Sequence, residues 1–122
     1  MLRLVARHAD EWNLWGVAST VAERAAELER ACEEVDRDPA TIVRSAQALV
    51  WLTDDAAAAE RFVARGGDRA VAGSPAQVAD AVAAWLDAGI DEVIVPDFAL
   101  GSGRQRLDAM DALIEQVAPA FR

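Results

Sequence analysis

One histidine and one cysteine limit the chemistry open to this chain: His8 and Cys32. A serine hydrolase needs its histidine beside a nucleophilic serine and a carboxylate. No G-x-S-x-G elbow occurs, and Gly101-Ser102-Gly103 is not one. His8 stands in a helical stretch near the N-terminus and reads as a surface residue. One His and one Cys, with no second ligand at metal spacing, form no zinc pattern. All 12 basic residues are Arg, which excludes a Lys nucleophile or Schiff base. Cys32 lies on an apolar helical stripe and reads as a small buried hydrophobe. The pairs Glu33–Glu34 and Asp54–Asp55 read as a solvated helix face and a helix start, the second favoured by the helix dipole.

Two features remain that could hold a ligand. The first is the stretch Gly101-Ser102-Gly103-Arg104, which follows a strand pattern and precedes a helix pattern. Gly-rich loops in that position can cradle phosphate through backbone N–H groups, and Arg104 would add a charge. The same loop can equally do no more than turn the chain. The second feature is the set of strand ends. Ligands of parallel α/β folds collect at the carboxyl ends of the strands. Here those ends carry Asn13 and Trp15, then Trp51, then Asp97 and Phe98. Large aromatics at one rim could line a pocket for a planar ligand. Trp51 and Phe98 could instead pack under helices.

The elements that must position these residues follow from periodicity. Leu2, Val5, Ala6 and Ala9 fall at helical spacing, and a short strand follows over Trp12–Trp15. Nothing caps that first helix, so the chain reads as beginning in the middle of an element. Thr20 and Glu23 have the spacing of a capping box, and Val21, Ala25, Leu28 and Val35 mark one face of the next helix. Asp38 before Pro39 predicts one short turn. The run Val43–Leu52 predicts a second strand, buried on both faces. Thr53, Asp54 or Asp55 caps a helix over Ala56–Arg65, and "GGDRA" breaks it. Ser74, Pro75 and Gln77 give a complete helix start, with Val78, Val82 and Trp85 (or Leu86) as the buried stripe and Gly89 as the left-handed stop. Glu92–Pro96 is a third strand. Leu107, Met110, Leu113 (or Ile114) and Val117 define a last helix ending before Pro119.

Strands thus alternate with helices, which predicts an α/β fold with parallel strands. The length, 122 residues, allows one domain. It holds about three βα units, where a closed eight-stranded barrel needs roughly 250 residues. Such a sheet leaves both edges unpaired, so either it stays small and open or another chain or a second copy covers them. The net charge of −9 argues against nucleic acid and against anionic membrane. No apolar run approaches the length of a membrane span. A single cysteine and no signal-peptide pattern fit the cytoplasm.

The segments "RLVARHADEWNLWG", "RDPATIVRSAQALV", "VAGSPAQVADAVAAWLDAGIDEVIVPDF" and "LDAMDALIEQVAPAF" together resemble the C-terminal part of luciferase-like monooxygenases, above all the deazaflavin (coenzyme F420) dependent oxidoreductases. The resemblance covers the whole chain as one partial TIM-barrel domain, residues 1–122. It implies FMN or F420 bound at the carboxyl end of a barrel, and hydride transfer or dioxygen activation on a small organic substrate. It places Trp12–Trp15, Val43–Leu52 and Glu92–Pro96 at about the sixth, seventh and eighth strands. About five βα units of the family lie upstream of the part matched here, with the Gly-rich stretch that helps hold the cofactor phosphate. No catalytic residue of the family therefore transfers to a position in this chain. On this reading the chain alone is inactive without its missing part or a partner. A stand-alone, non-catalytic oligomerising α/β module is the competing expectation, and a phosphate-binding module built on Gly101–Arg104 is a third.

Overall fold

Parallel pairing runs through the centre of the chain. The computed structural model describes residues 1–122. Strand β1 (Glu11–Trp15) lies beside β2 (Val43–Gln47), with Glu11 opposite Val43 and Trp15 opposite Gln47. On its other side β2 pairs with β5 (Glu92–Ile94), Ser45 opposite Glu92. β2 is thus the central strand of an open parallel sheet. The apolar run Val43–Leu52 does not stay in one sheet. It divides at the fully buried Ala48, and β3 (Leu49–Leu52) leaves to pair in parallel with β4 (Ala70–Gly73). The expected burial on both faces fails at β2, where Val43 is exposed and Ser45 and Gln47 make one face polar, whereas β3 is apolar throughout. The sequence predicts no strand at β4, which begins at the last residue of the "GGDRA" break. Its Ala and Gly residues are poor strand formers, and it is extended because β3 supplies its partner. The ladder continues past β3, where the Thr53 N–H donates to the Gly73 carbonyl at 2.9 Å.

Helices α1 (Leu2–His8), α2 (Ala18–Glu33), α3 (Ala56–Gly66), α4 (Pro75–Asp87) and α5 (Gly103–Ala112) join these strands. A π-helical turn, Leu113–Val117, and a 3-10 turn, Ala118–Phe121, continue α5 to the C-terminus. The core forms three clusters. Ala6 of α1 packs on Leu28, Ala31 and Cys32 of α2 and on Ile42. Val21, Ala46, Ala48, Trp85 and Ile90 join α2 and α4 to the central strand. Val50, Val78 and Val117 seal the C-terminal turn onto β3 and α4. No helix is long and apolar enough to cross a membrane.

The best sequence signals are realised in α4. The Ser74 hydroxyl accepts from the Gln77 N–H at 3.3 Å, while the Gln77 side chain accepts from the Ser74 N–H at 2.9 Å. Gly89, at φ +84, closes the other end. Its N–H donates to the Leu86 carbonyl at 2.9 Å and the Ile90 N–H to that of Trp85 at 3.1 Å. This is a Schellman stop, sealed by the packing of Ile90 and Trp85 in one cluster. Trp85, not Leu86, is the buried residue.

The start of α2 differs from the expected capping box. The helix begins at Ala18, so Thr20 lies inside its first turn. The competing partner is distant in sequence. The Val17 N–H donates to the Asp68 carbonyl at 2.8 Å, and the Thr20 hydroxyl points to the Asp68 carboxylate at 3.5 Å. An acid beside a helix N-terminus is favourable, and the helix begins three residues earlier than the capping box predicts. The end of α2 is a second Schellman stop, with Asp36 at φ +55 where glycine is usual. Asp36→Gly is therefore expected to raise stability by about 0.5–1 kcal/mol. Urea unfolding would show this as a higher midpoint at unchanged slope.

Candidate functional site

The central sheet has two unlike faces. Leu14, Ala46 and Val93 point toward α2 and α4. The alternate residues face the other way. There Gln47 Nε2 donates to Asn13 Oδ1 at 2.9 Å, Asn13 Nδ2 donates to Ser45 Oγ at 3.0 Å, and Ser45 Oγ donates to Glu11 Oε1 at 2.8 Å. This is a directed relay of donors that ends on a carboxylate, and each bond polarises the next. The relay shields the Ser45 hydroxyl completely, while Glu11, Asn13 and Glu92 remain exposed. Asn13, expected at the rim, lies within this row. Trp15 ends β1 on the same face by alternation and is half-buried.

At the carboxyl ends the chain turns sharply. The Gly16 N–H extends the ladder by donating to the Gln47 carbonyl at 3.1 Å, and the Gly16 carbonyl accepts from the buried Trp85 indole Nε1–H at 2.9 Å. After β5, Asp97 pairs with Arg106 at 2.8 Å, and Arg106 Nε also donates to the Gly101 carbonyl at 3.2 Å. Arg106 thus fastens the Gly-rich loop to the strand exit. Arg104 pairs with Asp108 one turn along α5, at 2.8 Å. Ser102 precedes α5 without a side-chain cap bond, and Gly101 and Gly103 take positive φ of +87 and +51. Phe98 projects outward, 75% exposed.

Trp51 is where the rim becomes concave. Its ring lies 5.5 Å from that of Phe62 on α3, the planes inclined at 46°. A cleft of about 410 Å³ lies here, lined by Leu49, Trp51, Phe62, Arg65, Gly66 and Ala99. A second, of about 420 Å³, is lined by Trp51 with Leu52, Leu100 and residues of α5 from Gln105 to Ala112. β3 continues from the carboxyl end of β2, and Ala99 follows the end of β5. Both clefts therefore sit beyond the carboxyl ends of the central sheet, where ligands of such folds collect. Of Asn13, Trp15, Trp51, Asp97 and Phe98, only Trp51 lines either cleft. Phe62 and Arg65 escaped sequence reading because α3 offered only helical periodicity. The one available sign was Phe62 three residues after Ala59, the buried position of α3.

Comparison with solved structures places this architecture. The chain superposes over 100% of its length on 48% of the coenzyme F420 dependent tetrahydromethanopterin reductase from Methanopyrus kandleri, with a TM-score of 0.74 and 16% identity. The chain shares the fold of part of this structure. The same partial barrel covers 98% of this chain and 38% of long-chain alkane monooxygenase (LadA), at TM-score 0.66 and 19% identity. It covers 98% of this chain and 41% of EDTA monooxygenase (EmoA) from Chelativorans sp. BNC1, at TM-score 0.67 and 17% identity. The chain spans less than half the length of each of these structures. No protein-family model and no curated protein matches the sequence. The fold expected from the quoted segments is thus the fold observed. The partial barrel remains open, with β1 and β5 as free edges of the central sheet.

The rim supplies part of what a flavin or deazaflavin needs. Trp51 and Phe62 offer an apolar wall for a planar ring. The phosphate end is less well provided for. A Cβ on Gly101 would lie 2.5 Å from Gln105 Oε1, so the loop is filled by its own side chain, and both nearby guanidinium groups are engaged by Asp97 and Asp108. These residues do not form a complete cofactor cradle.

Proposed function

We propose that this chain is a portion of a flavin- or deazaflavin-dependent luciferase-like oxidoreductase of the cytoplasm, acting on a small organic substrate. The observation that supports this most is the match of the entire chain to 48% of an F420 dependent reductase at TM-score 0.74. FMN or F420 would supply the redox chemistry when bound. The chain's own share is to build the carboxyl rim, with Trp51 as a wall that excludes water. The Glu11–Ser45–Asn13–Gln47 relay lies on the uncovered face, where a completed barrel has its interior. Further strands must pair with β1 and β5 to close such a barrel, and a complementing chain or a second copy is the proposed source.

Titrating FMN and F420 into the purified chain, with turnover followed in parallel, tests this reading. The expected result is an assembly larger than a monomer by native mass measurement, weak cofactor binding and no turnover by the chain alone. Turnover by a monomer would sink the dependence on a partner. A stable oligomer that binds neither cofactor would favour the other reading, a non-catalytic oligomerising module, which the open sheet edges also support.

A further inference from the structure

The cleft beside Trp51 has an unusual charge for this chain. The molecule carries 21 acidic residues against 12 basic ones. Yet the only charged side chain among the cleft's lining residues is a cation, Arg65. Arg65 makes no ion pair and no side-chain hydrogen bond, whereas Arg104 and Arg106 beyond β5 are both engaged. The other lining residues are apolar, and Trp51 and Phe62 form a corner of two ring faces at 46°. A volume of about 410 Å³ leaves room for a two-ring molecule.

We propose that this cleft binds a planar aromatic anion, of the class of a bicyclic aromatic carboxylate. The rings would lie against Trp51 and Phe62, gaining aromatic contact. The carboxylate would meet the Arg65 guanidinium, whose planar fork donates two parallel N–H···O bonds to its oxygens. Arg65 stands in the last turn of α3, where a cation also balances the helix dipole. That role would not distinguish a carboxylate from its neutral analogue, and the experiment turns on this difference. The inference does not depend on the oxidoreductase reading, because it needs only residues 49–99 of this chain.

The test is calorimetric titration of the intact chain with 2-naphthoate and with its neutral isostere 2-naphthamide. Saturable 1:1 binding of 2-naphthoate is expected, at about tenfold higher affinity than the amide. Arg65→Gln should abolish that preference while leaving amide binding unchanged. Phe62→Leu should weaken both ligands by a similar factor. Arg65 is exposed, so Arg65→Gln is expected to keep the native thermal midpoint, and it carries the test even if Phe62→Leu unfolds. Equal affinity for acid and amide, a preference that survives Arg65→Gln, or no saturable binding of either ligand would overturn the proposal.

Discussion

Trp85→Ala is expected to cost about 3–5 kcal/mol of stability, as large-to-small changes of buried aromatics do. Trp85 is 1% exposed and is the largest fully buried side chain. Only 20 of 122 residues are buried, so little else in the core can offset its loss. Domains have roughly 5–15 kcal/mol in total, and a core this small belongs near the lower end. Most of the variant should therefore be unfolded at 37 °C. Trp85→Phe separates the two parts of the effect. It keeps much of the packing but strands the Gly16 carbonyl, which accepts the indole N–H at 2.9 Å. That variant should lose about 1–3 kcal/mol. Urea unfolding followed by far-UV circular dichroism measures both. A loss below about 1 kcal/mol for Trp85→Ala would contradict the place given to Trp85 at the centre of the core.

Gly16→Ala should be the other severe substitution, with a loss of about 2–3 kcal/mol. Two causes act together. Gly16 has φ +152, which side chains rarely adopt, and an added Cβ would lie 2.9 Å from Thr20 Cγ2. Thr20→Gly separates them. In that background the steric share disappears and the backbone share persists, so a double-mutant cycle should show coupling of about 1 kcal/mol. Zero coupling would mean that the whole cost lies in the backbone. Gly16 and Trp85 share a hydrogen bond, so their losses should not add.

Much of this architecture could be read from the chain because its signals are local. Ser74 with Gln77, Asp55 before α3, Asp38 before Pro39 and Gly89 after α4 each act on neighbouring backbone, and each does so in the structure. Features set by distant partners could not be read that way. The start of α2 moves to Ala18 because Asp68 bonds Val17. β4 exists because β3 pairs with it. The last helix starts at Gly103, four residues before the first periodic apolar position, because Arg106 holds Gly101 and Asp97 together. The candidate site divides in the same way. Trp51 could be picked out as a strand-end aromatic. Phe62 and Arg65 could not, since only the folding of α3 against β3 brings them beside it. The relay from Gln47 to Glu11 was equally hidden, because it depends on the register of β1 against β2.

The order of strands across the central sheet also bears on how the protein is made. β2 lies between β1 and β5, but β5 is the last strand in the chain. During vectorial synthesis β1 and β2 can pair once Gln47 has left the ribosome. The second edge of β2 then stays bare until Glu92–Ile94 emerges. The Trp85 tie to Gly16 also waits for that late segment. Parallel pairs between distant segments form slowly, and a bare strand edge is a template for foreign chains. Until Glu92–Ile94 has been made, the central strand is therefore only half-satisfied.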